Sequence, residues 1–281
     1  NLVHLDFLVV MNTRLMKGQK VLQGYLSAKN PVDTWVSGTF AIAFWTVNHL
    51  WHLGKYNLGL SSCLGGTGMC ISADIVREFG WGCDCLTEDM EFSMKCLSHG
   101  IRTCWVHDAI IYDEKPLTFM ASWRQRKRWA QGQFDCSERY IPILMKEGFK
   151  RHSIVVLDGI MQLLQNYFLL ISAFYLVMTY INMFYPCFTV VLYNDALVPR
   201  QFWSVLGTIQ YVLPLIVLLQ IEVPAKIYLY WLIYPVFMYS WVPVTFLGWI
   251  HRHEKQWVHT IHTRSMQFQA ASLTRKKEID S

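Results

Sequence analysis

Apolar and polar positions divide this chain into two unlike parts. Up to about residue 152 they change over in short blocks, and from Ser153 to Ile250 long apolar runs are broken only by prolines and single polar residues. In the first part, Leu2 to Met16 has helical spacing, and Lys20-Val21-Leu22-Gln23-Gly24-Tyr25 predicts a turn into a short strand closed by Asn30-Pro31. Thr34 to Leu53 is nearly continuously apolar, but its Thr, Ser, Asn and His content suits a helix buried in a soluble domain better than a membrane span. Gly54 to Gly68 reads as a glycine-rich loop, Met69 to Ser72 as a buried strand, and Asp74 to Phe79 as a helix. Thr87 is the expected N-cap of a helix reaching about Gly100, with Glu88, Asp89 and Glu91 opposing the helix dipole in its first turn. Arg102 to Val106 and Ala109 to Tyr112 predict strands, and Thr118 opens a helix reaching about Tyr140. Alternating strands and helices predict an α/β layer architecture.

In the second part, Gln165 to Cys187, Phe202 to Ile221 and Ile227 to Ile250 are each long enough for a helical span, which takes about 20 residues, and three crossings are expected. Ser153 to Asn166, with Asp158, Gln162, Gln165 and Asn166 at helical spacing, is expected to lie in the interface before the first crossing. Asp158 either faces a polar path through the membrane or is solvated at its surface. The expected organisation is residues 1–152, then interfacial and membrane helices over 153–250, then a basic juxtamembrane tail over 251–281. Three crossings conflict with basic residues at both ends of the block. Either one stretch is re-entrant or interfacial, or the tail from His251 is not cytoplasmic.

Charge sharpens this picture. The excess of 25 Lys and Arg over 20 Asp and Glu concentrates in Arg124 to Arg151 and Arg252 to Lys277, on both sides of the apolar block. Such segments read as cytoplasmic anchors for anionic membrane lipid, and nucleic acid is not an expected partner. The eight cysteines lack paired C-x-x-C spacing, so they read as reduced thiols and not as a zinc site. His251, His253, His259 and His262 have permissive metal spacing, but no Cys or convincing carboxylate set accompanies them. The chain opens on Asn1 without a signal peptide, and a segment upstream is expected.

Two constellations carry candidate chemistry. In Leu86-Thr87-Glu88-Asp89, a carboxylate opening a helix could deprotonate a hydroxyl, an effect worth roughly 10²- to 10⁴-fold in rate. By itself the tetrapeptide is equally a capped helix start with ordinary dipole-matching acids. Within Ser122 to Trp129, helical spacing puts Gln125, Arg128 and Trp129 on one face. An Arg fork can bind diphosphate oxygens bidentately, a Trp face can stack on a sugar ring, and Gln can both donate and accept hydrogen bonds. Arg124, Arg126 and Lys127 are expected to form a basic surface toward the membrane.

The order Gly66-Thr67-Gly68, Thr87-Glu88-Asp89, Gln125-Arg126-Lys127-Arg128-Trp129 and then apolar helices resembles the processive family-two membrane glycosyltransferases, the superfamily of cellulose, hyaluronan and poly-N-acetylglucosamine synthases. The resemblance implies a partial GT-A (nucleotide-diphospho-sugar transferase) α/β domain followed by transmembrane α-helices. It further implies a UDP-sugar donor, a glycan acceptor, a divalent cation (Mg or Mn) and inversion at the anomeric carbon. By the family pattern Asp89 corresponds to the catalytic base, with Glu88 and Thr87 supporting it. Gln125, Arg128 and Trp129 correspond to the donor-diphosphate and acceptor motif, and Gly66, Thr67 and Gly68 to the acceptor-side loop. The implied setting is a multi-pass protein of the plasma membrane with its catalytic domain in the cytoplasm. One element departs from the pattern: no D-x-D occurs in the 281 residues, so the cation lacks its ligand site. The expectation is an N-terminally truncated chain, inactive in isolation. The alternatives are a non-processive membrane transferase acting on a lipid or short acceptor, and a non-catalytic membrane subunit.

Overall fold

The structure, a computed structural model, describes residues 1–184 and 200–254. Its centre is a four-stranded sheet of order β1-β4-β2-β3, formed by β1 (Leu2–Val3), β2 (Val21–Ala28), β3 (Met69–Ile71) and β4 (Thr103–Asp113). β2 and β4 run parallel, and β1 and β3 pair antiparallel on their outer sides. β2 is buried along nearly its whole length, as an almost continuous apolar strand inside a parallel pair should be.

The two strands expected from Arg102 to Tyr112 are one strand with a bulge. Gly24 pairs with Val106 and the next residue, Tyr25, with Ile110, which leaves residues 107–109 outside the ladder. A Cβ on Gly24 would stand 2.4 Å from the Ala109 carbonyl, so glycine is what lets the bulge close against β2. The expected helix from Leu2 also needs correcting. Leu2 and Val3 pair with Tyr112 and Ile111 at the open edge of β4, and the helix α1 starts only at Phe7 and ends at Met16.

The helix expected over Thr34 to Leu53 is α2 (Trp35–Thr46), opened by a reciprocal Thr34–Ser37 capping box. It continues through a π-helical turn, Val47–His52, into α3 (Leu53–Asn57). After β3 come α4 (Ala73–Phe79), α5 (Glu88–Ser98) and then, beyond β4, α6 (Phe119–Lys150). α6 runs ten residues past the expected Tyr140 and through Pro142. Packing explains this: Leu144 is fully buried, and Gly148 lies so close to the next helix that a Cβ would meet Leu157 at 2.5 Å.

α7 (Ile154–Phe184) is one continuous helix, so the expected interfacial segment and first span are a single element. It is followed by α8 (Arg200–Gln220), α9 (Lys226–Tyr239) and α10 (Trp241–Ile250). Among the described residues, two helical stretches are long and apolar enough to cross a bilayer, Ile154–Met178 and Lys226–Ile250. A further apolar helical stretch, Val205–Gln220, lies within the 21-residue α8. Lys226–Ile250 is itself broken at Ser240, where α9 ends and α10 begins. Pro243 is accommodated because it falls in the first turn of α10, where an N–H has no intrahelical partner.

Candidate functional site

The glycine-rich loop is built from below by one residue, Gln23. Fully buried in β2, it accepts the Gly65 N–H on Oε1 at 2.8 Å and donates through Nε2 to the Thr67 carbonyl at 3.0 Å. Gly66 and Gly68 both take left-handed backbone, with φ of 72° and 62°. At Gly68 any side chain would collide with Ile111, whose Cδ1 stands 1.9 Å from the ideal Cβ position. A Cβ on Gly66 would meet the Asp89 carboxylate at 3.2 Å. Loop and acid, 23 residues apart in sequence, are therefore in direct apposition.

Asp89 lies in the first turn of α5, and Ser93 fastens that turn to the loop. The Ser93 hydroxyl donates to the Asp89 carbonyl at 2.8 Å and accepts the Leu64 N–H at 2.9 Å. The Asp89 carboxylate accepts the Met90 N–H at 2.7 Å. Burial raises its pKa to about 6. The Glu88 charge adds to that rise, while the Met90 N–H and the Arg128 guanidinium oppose it. A carboxylate of this kind is ionised at neutral pH yet basic enough to take a proton from a hydroxyl in a transition state.

Thr87 occupies the N-cap position of α5, as expected, but its hydroxyl does not cap. It is buried without a hydrogen bond, pressed on α6 where a Cβ at Gly132 would meet Thr87 Oγ1 at 2.5 Å. Glu91, expected as a dipole-matching acid, is buried and accepts the N–H groups of Asp84 and Cys85, both at 2.7 Å. It thus fixes the chain that leads into Thr87. Sequence reasoning missed Gln23, Ser93, Glu91 and Gly132 as supports of the site. Only Gln23 gave a signal, as a polar residue inside an apolar strand.

On α6, the Arg128 charge acts on Asp89, 39 residues away in sequence, and favours its ionised form. Gln125 is half-buried, and its Oε1 makes no hydrogen bond. Trp129 is half-buried in an aromatic group, edge-on to Phe40 at 6.0 Å and stacked on Trp241 at 6.4 Å and 23°. The expectation that Arg126 faces the membrane surface is overturned. Arg126 is fully buried between α6 and the start of α10, its guanidinium over Phe237 and Trp241.

Asp158 is half-buried and forms an ion pair with Lys55 at 2.7 Å, beside a Trp51 to Gln162 hydrogen bond of 2.8 Å. Among the described residues no group of three or more His, Cys, Asp or Glu side chains could hold a metal ion, so the expected divalent cation finds no ligand set in them. His259 and His262 lie outside the described residues, as does Cys187.

Residues 13–244 match the family model described as glycosyl transferase family group 2. Over 80 residues the chain is 30% identical to the probable glycosyltransferase YdaM of Bacillus subtilis (strain 168), a match covering 28% of this chain and 19% of that protein.

Proposed function

This chain belongs to glycosyl transferase family group 2, and we propose that it carries the acceptor side of an inverting reaction that extends a glycan from a UDP-sugar at the cytoplasmic face of the plasma membrane. The acceptor hydroxyl attacks the anomeric carbon as the bond to the diphosphate breaks, and its proton passes to Asp89. Arg128 steadies the departing diphosphate, a role suited to a bidentate guanidinium. Gln125 orients donor or acceptor hydroxyls, and Trp129 stacks on the terminal sugar. Gly66, Thr67 and Gly68 present backbone close to Asp89, where a side chain would obstruct the acceptor. Thr87 and Glu88 shape the setting of the base.

One observation supports this reading above the others: Asp89, raised to about 6, lies against the Gly66 loop and within the field of Arg128, so three separate sequence segments converge on one carboxylate. The apolar helices support the membrane setting. An even number of crossings would return both basic flanks to the same side, the arrangement that the charge pattern favours. The divalent cation would need ligands beyond the described residues, and no step above depends on it.

The test uses the complete protein in detergent or native membranes with a panel of labelled UDP-sugars. Sugar incorporation that disappears in Asp89→Asn, with folding intact, is the expected result. Undiminished incorporation would leave a non-catalytic membrane subunit as the better account. Product length on a gel distinguishes a polymer from the addition of a single sugar to a lipid or short acceptor.

A further inference from the structure

Arg126 is a cation buried without an anion. Its side chain is 0% exposed, and no carboxylate lies within ion-pair distance of it among the described residues. Nη1 donates to Ser240 Oγ at 2.8 Å, Nε makes a long 3.4 Å contact to the Ser122 carbonyl, and Nη2 makes no hydrogen bond. Three rings surround the guanidinium, Phe237 at 4.5 Å, Trp241 at 5.1 Å and Phe119 at 5.7 Å. Cation–π contact offsets part of the lost hydration but does not replace a counter-ion. If filling space were the only need, an apolar side chain of similar length would be less costly here.

The contacts of this guanidinium meet at the break between α9 and α10. Ser240 ends α9, and its hydroxyl donates to the Phe237 carbonyl at 2.5 Å, leaving oxygen lone pairs directed to Arg126. The next residue, Trp241, presents one ring to both Arg126 and Trp129. Arg126 and Trp129 are three positions apart on α6 and share a face. The guanidinium therefore fixes the joint that carries the ring on which Trp129 rests.

We propose that Arg126 is a positioning residue for the acceptor end of the reaction, holding Trp129 in register by clamping the Ser240–Trp241 joint to α6. The proposal rests on the function argued above and adds a division of labour: Arg128 serves the donor, and Arg126 serves the acceptor through a neighbouring ring. Displacing Trp129 lowers transfer to a sugar hydroxyl and leaves donor cleavage by water intact. In that side reaction water forms the new bond to the anomeric carbon, the bond to the diphosphate breaks, and Asp89 receives the water proton.

The experiment compares UDP released with sugar incorporated, using the complete protein and a panel of UDP-sugars. In Arg126→Met, incorporation per UDP released is expected to fall roughly ten- to hundred-fold, the scale of a misplacement near 1 Å, with UDP release retained. Arg126→Lys keeps a donor for Ser240 but loses the planar fork, and should recover part of the ratio. Trp241→Leu, which leaves Arg126 in place, should produce the same split and serves where Arg126→Met does not fold. Trp241→Phe should stay near wild type. If both products fall together, or neither falls, in whichever variant folds, the positioning role is wrong. A wild-type protein that releases no UDP from any donor overturns the functional reading itself, and this proposal with it.

Discussion

Two polar clusters lie close to the sheet, and each contains an aspartate that the sequence made a candidate. Around Asp158 the side chains satisfy one another. Lys55 pairs with the acid, Trp51 donates to the Gln162 side chain, and Gln133 donates to the Gln162 carbonyl. Around Asp89 they do not: Thr87 Oγ1 and Gln125 Oε1 are buried without hydrogen bonds, and two loop glycines hold left-handed backbone beside the acid. A saturated cluster holds helices together, whereas buried polar groups left unsatisfied beside a glycine loop that brings backbone close to an acid are what a site arranged for a ligand presents. On the proposed function, the acid that acts in chemistry is the one its surroundings leave incompletely served.

The strongest challenge to that contrast exchanges each acid for its amide. Asp89→Asn should lower turnover roughly 10²- to 10⁴-fold. Its thermal stability should be unchanged or higher at neutral pH. Asp89 binds its proton more tightly folded than unfolded, so its ionisation opposes folding as pH rises from about 4 to 6, and the amide escapes that cost. Asp158→Asn should do the reverse. It strands a buried Lys55 and costs on the order of 3–5 kcal/mol in a denaturant titration, with turnover per folded molecule little changed. Should Asp158→Asn abolish turnover in a fully folded protein, the contrast fails.

The next effect concerns the partner of Asp89. Arg128→Lys should reduce turnover by roughly 10²-fold, the range for losing one oriented donor to developing charge, and steady-state kinetics with labelled donor would show it. Smaller is the expected effect of Gly68→Ala, which forces left-handed backbone and a clash with Ile111 at some 1–3 kcal/mol. Ile111→Ala removes both colliding atoms, Cδ1 and Cγ1, so the double variant should lose less stability than the sum of the two single variants. The smallest effect is on the pH profile. Turnover should rise with pH through a limb near 6 as Asp89 ionises. Glu88→Gln removes a repulsive charge, lowers the Asp89 pKa and moves that limb to lower pH.

Much of the α/β half was legible because strand and helix periods are local. β2, β3, α2, α4 and α5 lie where apolar spacing put them, and the break at His107-Asp108 between two expected strands is the bulge of a single one. Errors came where distant packing decides. Leu2 and Val3 become a strand because β4 offers them an open edge, and α6 continues through Pro142 because α7 covers its far end. Arg126 shows the limit most plainly. Helical spacing sets it beside Trp129, three positions on, but what covers its guanidinium is Ser240, 114 residues away. Thr87, Asp89 and the Gly66 loop were recognisable as candidates for chemistry, whereas Gln23, Ser93 and Glu91, which hold them, resemble ordinary core or surface residues until the backbone groups they serve are in place.

On the proposed function, the absence of a side chain at Gly248 would set how close the reacting end of a glycan stands to lipid. A Cβ there would meet Ala130 at 2.5 Å, and Gln131 donates to the His251 carbonyl at 2.8 Å, so the last apolar helix ends directly on the residues that follow Trp129. In the proposed membrane setting, a sugar resting on that indole is about one helix diameter, roughly 10–12 Å, from hydrocarbon-facing surface. Each added sugar then emerges at the edge of the bilayer instead of in open water, and a lengthening chain meets the membrane before it meets solvent.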